Sequence, residues 1–231
     1  MQPSYLPWAG YFHLMSEVDY FIFLDDVQLA RPSWQTRNRV LLGGLPHWLT
    51  VPVRRTHHTF QRIEDTLVDD THPWRERHRK LIDKAYGAHP HAADLDPLVA
   101  LVGDREKTKL ADLNIAIIRH AATTLGLTPQ FLRASALDIQ ATRSARLIDI
   151  CRTLGCNEYL SPTGSSAYLA EDRFTEQSDV RLLFQNFAPA PYEQSGTRKF
   201  QSHLSILDVL ANIGIAGAHD YVRSGSTASA V

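Results

Sequence analysis

The pattern of apolar positions in the first third of the chain predicts strands. Residues 20–24 (YFIFL) form a continuous apolar and aromatic run between acidic residues, which is typical of a buried strand. Asp25 and Asp26 follow this run directly, so the pattern places two carboxylates at the carboxyl end of the strand. Residues 39–42 and 47–53 lie on either side of a Gly-Gly pair and predict a hairpin.

Helical spacing replaces the strand pattern further along the chain. After one more predicted strand at 63–68, three apolar stripes predict helices that end at Gly87, Gly126 and Gly155. The remaining predicted elements are strands at 158–160 and 180–184 and a capped helix over 205–213 that ends at Gly214.

Helices mixed with strands throughout predict an α/β fold with a partly parallel sheet and helical elaboration. The pattern contains neither an internal repeat nor a clear linker, so residues 1–217 are predicted to form a single domain. Beyond residue 218 the chain becomes rich in Gly, Ser and Ala, which predicts a flexible tail over 218–231.

Composition argues against several classes of protein. The chain has 231 residues, of which 44% are hydrophobic and 21% charged, as is ordinary for a folded domain. The formal net charge of −1 argues against binding of extended nucleic acid through a global basic field. The sequence shows no membrane-length apolar run and no secretory signal, and its cysteines fit reduced thiols, so a cytoplasmic location is expected.

The charges are unevenly distributed. Between Ala30 and Ile63 there is no Asp, Glu or Lys. The arginines of this stretch are Arg31, Arg37, Arg39, Arg54, Arg55 and Arg62. Because the guanidinium fork suits bidentate contact with phosphate or carboxylate, the stretch predicts an anion-binding site. The structural alternative is a set of hairpin arginines balanced by acids elsewhere in the fold.

The opening segment Gln2-Pro-Ser-Tyr-Leu-Pro-Trp8 predicts a rigid turn. Its two prolines fix their own φ and keep the residues before them out of helical geometry. Such a turn at the carboxyl end of a strand is a usual ligand position in open α/β sheets. It would present Tyr5 and Trp8 at small entropic cost, whereas a purely structural turn would bury them in the core.

The paired carboxylates leave several chemical roles open. Asp25, Asp26 and Gln28 can bind a metal ion, orient a hydroxyl group or supply a general base. The spacing of His57 and His58 matches no zinc motif, so no metal site is predicted. The sequence contains no G-x-S-x-G, P-loop or G-x-G-x-x-G motif and identifies no cofactor.

Taken together, these segments resemble the WbqC-like family of bacterial proteins, which are often encoded beside genes for O-antigen and other surface polysaccharides. The resemblance covers nearly the whole chain. It rests on Gln2-Pro-Ser-Tyr-Leu-Pro-Trp8, Leu24-Asp-Asp-Val-Gln28, Arg37-Asn-Arg39, Trp48-Leu-Thr-Val-Pro-Val53, Trp74 with Tyr86, Tyr159-Leu-Ser161, Tyr192-Glu-Gln194, and Ser205-Ile-Leu-Asp208 with Asn212 and Gly214.

Two departures accompany the resemblance. Members of this family usually carry an apolar strand before the first segment, so the resemblance implies an N-terminal strand that this sequence lacks. They also tend to have Gly after the Tyr-Leu-Ser segment, where this chain has Pro162.

The resemblance implies a group-transfer enzyme of surface-glycan or secondary-metabolite biosynthesis, acting on a sugar-like or amine acceptor with an anionic donor. An ATP-using ligase that forms amides or esters stays open as an alternative. So does a non-catalytic binding or scaffold protein of a biosynthetic complex, and so does a homo-oligomer. The order of turn, helix and acid-ended strand is also analogous to nucleotidyltransferase-like ligases, although analogy of fold does not supply a reaction.

For the enzyme, we expect Asp25 and Asp26 to orient or deprotonate the acceptor. The residues assigned to substrate binding are Gln2, Tyr5, Trp8, Gln28, Arg37, Asn38, Arg39, Arg54, Ser161, Tyr192 and Gln194. Among them, the arginines would hold the anionic donor, and Tyr5 and Trp8 would form an aromatic wall.

Overall fold

A computed structural model of the chain describes residues 1–30, 32–54, 60–188 and 190–224, and the backbone of 226–230. The helices are α1 (Ala9–Ser16), α2 (Trp74–Tyr86), α3 (Asp96–Gly103), α4 (Leu110–Thr124), α5 (Arg143–Thr153), α6 (Ser166–Glu171), α7 (Phe174–Gln177) and α8 (Ile206–Arg223). The strands are β1 (Tyr20–Phe23), β2 (Arg37–Leu42), β3 (Leu45–Thr50), β4 (Gln130–Arg133), β5 (Glu158–Ser161), β6 (Arg181–Asn186) and β7 (Ser226–Ala230).

These strands form three small sheets. β1 pairs with β4 in parallel, β2 and β3 form an antiparallel hairpin, and β5 pairs in parallel with β6, which pairs antiparallel with β7. Small parallel sheets combined with several helices confirm the predicted α/β class. The hairpin turns at Gly43 and Gly44, and both have the positive φ that a tight turn requires.

Most buried side chains belong to one large hydrophobic core, which α1, β1, α2, α4 and α8 all enter. α1 is buried on every side, since seven of its eight residues are buried, and it therefore lies inside this core rather than on the surface. A smaller core under α5, α6 and β6 contains Leu147, Leu169 and Leu182. Among the described residues, no helix is both long and apolar enough to cross a membrane.

The turn that begins at Gln2 starts beside β1. The amine of Met1 donates to the carbonyl of Ile22 at 2.7 Å, and the carbonyl of Met1 accepts from the N–H of Leu24 at 2.8 Å. Burial lowers the pKa of this amine to about 5. Because Met1 lies alongside the last residues of β1, the Gln2–Trp8 turn lies at the carboxyl end of that strand.

Several observed elements differ from the predicted ones. Residues 63–68 do not form a strand: residues 63–65 form a turn, and Leu67 and Val68 form isolated bridges to Lys109 and Val53. The last helix does not end at Gly214; it breaks there and then continues to Arg223. Residues 218–223 belong to α8, and the backbone of Ser226–Ala230 pairs with β6.

Candidate functional site

A cleft of about 400 Å³ opens where the parallel strands β1 and β4 end. Its walls come from the segments that follow these two strands, from the turn around residues 60–64 and from the start of α5. Its polar lining includes Asp26, Gln28, Arg62, Glu64, Arg143 and Arg146. Ligands of open α/β sheets bind outside the carboxyl ends of strands, so this cleft is the candidate functional site.

Asp25 is wholly buried behind the cleft. Its Oδ1 accepts from the backbone N–H of Ser135 at 3.1 Å, and its Oδ2 accepts from the Ser135 hydroxyl at 2.9 Å. The Nη1 of Arg133 lies 3.9 Å from the same Oδ2. These contacts join the end of β1 to the end of β4, so Asp25 holds the cleft together and is not one of its lining residues.

Asp26 does line the cleft, and it forms an ion pair with Arg146. The Nη2 of Arg146 donates to Oδ2 of Asp26, and its Nη1 donates to the carbonyl of Ile139 at 3.0 Å. Oδ1 of Asp26 and Nε of Arg146 are buried and have no hydrogen-bond partner among the described residues. A buried donor or acceptor without a hydrogen-bond partner destabilises the folded state, so Oδ1 of Asp26 and Nε of Arg146 are the candidate contacts for polar atoms of a ligand.

Two further arginines of the cleft are accessible. Arg62 lies 3.3 Å from Glu64 and its side chain is 53% exposed. Arg143 is 60% exposed and donates from Nε to Asp172 at 2.8 Å. The hydrogen bonds from Arg143 hold the pKa of Asp172 down, at about 2. These two guanidinium groups are the cations that an anionic ligand in the cleft would meet first.

Tyr5 is part of the core. Its side chain is completely buried, its hydroxyl lies 2.9 Å from Nδ1 of His78, and its ring meets Trp74 edge-on. Burial raises the pKa of Tyr5 far above its ordinary value. Tyr5, which the sequence analysis assigned to an aromatic wall, therefore has no ring face accessible to a ligand. Burying the ring in the core is more favourable than exposing it at the surface.

Asn38 and Gln2 also bond inward. The Nδ2 of Asn38 donates to the carbonyl of Leu6 at 2.7 Å and to that of Tyr5 at 3.2 Å. Leu6 has a φ of 44°, so this amide stabilises a strained residue within the turn. Oε1 of Gln2 accepts from Nε2 of Gln35. Both residues assigned to substrate binding thus hold the turn in this structure.

Trp8 covers the start of α1. A Cβ atom added to Gly10 would lie 2.2 Å from the Trp8 indole, so glycine is required for this close approach. The indole also packs against His203, with ring centres 4.4 Å apart, and against Phe187 at 5.7 Å. Trp8 is half-buried and is not a lining residue of the cleft.

Arg37 and Arg39 lie on the hairpin, next to two tryptophans. We call the surface formed by Trp34, Arg37, Arg39 and Trp48 the Trp–Arg face. The Cζ of Arg37 lies 4.3 Å from the ring centre of Trp48, and that of Arg39 lies 5.9 Å from Trp34 and 5.6 Å from Trp48. None of these four residues lines the cleft, so the structure does not bring Arg37 and Arg39 together with Asp26, whereas Arg62 of the same acid-free stretch does line the cleft.

Arg54 is exposed and is likewise not a lining residue of the cleft. Its backbone carbonyl accepts from Nε2 of Gln61 at 3.1 Å. Two other arginines of the acid-free stretch, Arg31 and Arg55, lie outside the described residues.

The assigned residues of the C-terminal half hold a different buried group. Tyr192 and Gln194 donate to Oδ2 of Asp208 at 2.6 and 2.8 Å, and Tyr86 donates to its Oδ1 at 3.1 Å. Burial raises the pKa of the Asp208 carboxyl. Ser161 is buried at the end of β5. Tyr192, Gln194 and Ser161 are all absent from the lining of the cleft.

Sequence reasoning missed Ser135, Arg143 and Arg146. β4 is only four residues long and carries no clear strand pattern, so the local sequence did not predict it. Its pairing with β1, which brings Ser135 to Asp25, could therefore not be predicted either. One signal was available: the helix predicted to end at Gly155 has its N-terminal turn at Arg143 and Arg146, and in open α/β folds ligands bind where strands end and the next helices begin.

No group of three or more His, Cys, Asp or Glu side chains is arranged to hold a metal ion in the ranges that the structure describes. His57 and His58, which the sequence analysis considered for zinc, lie outside those ranges.

Comparison with known proteins relates the whole chain to one family. A model of the WbqC-like protein family matches residues 2–220. The uncharacterized protein Rv1507c of Mycobacterium tuberculosis is 32% identical over 224 residues, which cover 96% of this chain and 96% of that protein. No solved structure matches the chain. With nearly every residue inside the family match, the chain belongs to the WbqC-like protein family.

Proposed function

We propose that the protein is a group-transfer enzyme of a biosynthetic pathway, with Asp26 as the general base of the reaction. The observation that carries the proposal is the Asp26–Arg146 pair, in which a buried carboxylate oxygen lacks a partner at the wall of the strand-end cleft. Buried polar atoms are almost always hydrogen-bonded. Of the residues with an unpartnered buried polar atom in the described part of the chain, only Asp26 and Arg146 line the cleft, and this coincidence supports a group supplied by a ligand. The frequent place of this family beside genes for surface polysaccharides supports a sugar-like acceptor.

In the proposed reaction, a small rotation of the Asp26 side chain turns Oδ1, which is buried in this structure, into the cleft, where it accepts a hydrogen bond from a hydroxyl or amine of the acceptor. Arg146 keeps its hydrogen bond to the other oxygen. As the acceptor oxygen or nitrogen forms its bond to the transferred group, its proton moves to Oδ1. The bond between the transferred group and the anionic leaving group breaks, and the leaving group keeps the electron pair.

The arginines at the cleft mouth are proposed to bind the donor and to stabilise its leaving group. Arg62 and Arg143 would bind the phosphate or carboxylate of the donor and stabilise the charge that grows on the leaving group. Gln28, which is exposed on the cleft wall, would orient the acceptor by hydrogen bonding. Asp25 acts as a positioning residue because it joins the two strand ends that carry the site.

The first prediction concerns Asp26→Asn. A thermal-shift screen of nucleotide-sugars, nucleotides and amino acids identifies the donor, and mass spectrometry of incubations with sugar and amine acceptors then measures product. Asp26→Asn should reduce turnover at least about 100-fold, because the amide cannot take up the proton. The increase in melting temperature that the donor causes should persist, since the donor is held by arginines.

Asp149→Asn is the matched control, because Asp149 lies on α5 with a side chain that is 43% exposed and is not a lining residue of the cleft. It should keep full turnover. Product formation by Asp26→Asn at the rate of the unchanged protein would refute the role of Asp26. Stabilisation by ATP together with AMP or ADP release in the presence of an amino acid would indicate the ligase instead.

A further inference from the structure

The Trp–Arg face is an exposed surface that the cleft does not use. Trp34 is 50% exposed and Trp48 is 45% exposed, with ring centres 5.7 Å apart. Arg39 pairs directly opposite Trp48 in the hairpin, so the two side chains share the outer side of the sheet. Covering large exposed aromatic side chains removes apolar surface from water, which is favourable. Trp and Arg are also enriched among the residues that contribute most to binding free energy in protein interfaces.

The charge of this face is unmatched. Within the described residues, neither Arg37 nor Arg39 forms an ion pair with a carboxylate, whereas Arg62, Arg143 and Arg146 of the cleft all do. The Nη2 of Arg39 donates to the carbonyl of His203 at 3.4 Å, while its Nε is buried and has no hydrogen-bond partner in the part of the chain that the structure describes. The local sequence contributes no acid, because none occurs between Ala30 and Ile63.

The stacking geometry limits what can bind here. A nucleobase or a sugar ring needs a free aromatic face, but the guanidinium of Arg37 covers one face of Trp48 at 4.3 Å. Trp34 leans on Trp48 at an interplanar angle of 36°, and Arg39 lies beside both rings. The groups left for a partner are guanidinium N–H donors and indole edges, which suit carboxylates and aliphatic side chains.

We propose that the Trp–Arg face is the docking site for an acidic segment of a partner protein. Carboxylates of that segment pair with Arg37 and Arg39, and its apolar side chains pack on Trp34 and Trp48. Charge complementarity selects the partner, since the protein as a whole has a net charge of only −1 and exerts little attraction on polyanions at long range. This docking is independent of the activity proposed for the cleft.

Binding of a synthetic peptide rich in Glu with interspersed Leu tests the proposal, measured by tryptophan fluorescence and by calorimetry at two salt concentrations. The peptide should bind the unchanged protein, and its affinity should fall as salt rises. The double charge reversal Arg37→Glu with Arg39→Glu should weaken binding at least tenfold. A peptide with Lys in place of Glu should not bind.

Two further variants keep the outcome clear. Arg37→Gln with Arg39→Gln preserves much of the packing on Trp48 and should still weaken binding, which covers the case in which the charge reversal does not fold. Arg173→Glu changes an arginine that is 73% exposed on another part of the surface and should leave binding unchanged.

Three results would overturn the proposal. The first is equal peptide affinity for the unchanged protein and the Gln double variant. The second is arginine-dependent binding of heparin or a single-stranded oligonucleotide that is tighter than binding of the peptide, which would assign the face to a polyanion. The third is a dimer of the unchanged protein that dissociates in either arginine double variant, since a second copy of the chain would then cover the face.

Discussion

Asp25 and Asp26 are the same residue type at consecutive positions, yet their surroundings assign them different tasks. The end of β1 directs Asp25 into the protein, where Ser135 satisfies both of its oxygens. Asp26 points the other way, towards Arg146 and the cleft. The chain turns directly after β1, where the N–H of Asp25 donates to the carbonyl of Phe23 at 2.9 Å, and the partners on either side of this turn decide which carboxylate can meet a ligand.

His78 illustrates how burial at one residue determines the response to pH. It is buried next to Tyr5, and desolvation lowers its pKa to about 4 from the ordinary 6.5. Between pH 6.5 and 4, His78 is therefore mostly protonated in the unfolded chain and mostly neutral in the folded protein. The stability that neutral His78 contributes is complete above pH 6.5 and is lost as pH falls towards 4, by up to about 3 kcal/mol.

Urea unfolding at several pH values measures this effect as a difference between variants. His78→Gln should flatten the fall in the free energy of unfolding between pH 6.5 and 4. His72→Gln, at an exposed position, should keep the slope of the unchanged protein. An identical slope for His78→Gln and the unchanged protein would mean that His78 does not cause it.

At the scale of elements, α8 shows how a single glycine shapes a helix. Gly214 has φ 69° and ψ −179°, a conformation that is essentially restricted to glycine. The break frees the N–H of Ile215, which donates to Oδ2 of Asp94 at 3.2 Å. It also brings the backbone close to His91, whose Nδ1 would lie 2.7 Å from a Cβ at position 214.

Gly214→Ala should lower the free energy of unfolding by about 2 kcal/mol or more, because strain and a steric clash add. Gly43→Ala separates the two causes, since Gly43 has a φ of 59° but, apart from its chain neighbours, no described residue lies within 4 Å of an added Cβ. It should cost about 1 kcal/mol. Gly164→Ala, which has neither feature, should change stability little, and equal urea midpoints for Gly214→Ala and Gly164→Ala would contradict this account.

At the scale of the whole molecule, Asp208 joins segments that are far apart in the chain. This buried residue of α8 accepts from Tyr86 of α2 and from Tyr192 and Gln194 of the loop before α8. The hydroxyl of Tyr86 also accepts from the N–H of Leu41 in the hairpin at 3.0 Å. The hairpin that carries the Trp–Arg face is thereby connected to α2 and α8.

Asp208→Asn should lower the free energy of unfolding by about 2 kcal/mol, because an amide replaces one acceptor by a donor that faces other donors. Asp220→Asn is the control, since the side chain of Asp220 is 85% exposed. Denaturant unfolding followed by circular dichroism measures both. Unchanged stability of Asp208→Asn would show that the desolvation cost of the carboxylate cancels its hydrogen bonds.

Local patterns were enough to identify most elements of this protein. Helix and strand periodicity fix the spacing of buried positions within one element, so neighbouring residues are enough to predict it. This holds for the apolar stripes of α2, α4 and α5, for the apolar run of β1 and for the Gly-Gly hairpin. The side chain of Ser205 accepts from the N–H of Leu207 and starts α8, whereas the carboxylate of Asp208, the other half of the predicted capping pattern, accepts from Tyr86, Tyr192 and Gln194 instead. Short elements such as β4 lack enough residues to show a period, and they escaped prediction.

The composition of the site followed from contacts between distant segments. The sequence placed two carboxylates at the end of a strand, but Arg146, which lies 120 positions after Asp26, was supplied by the packing of α5. The turn at Gln2–Trp8 was recognisable, yet only the core determined that Tyr5 points inward and binds His78. Periodicity reports which residues are buried together in one element, whereas the partners of a polar side chain depend on how the elements pack.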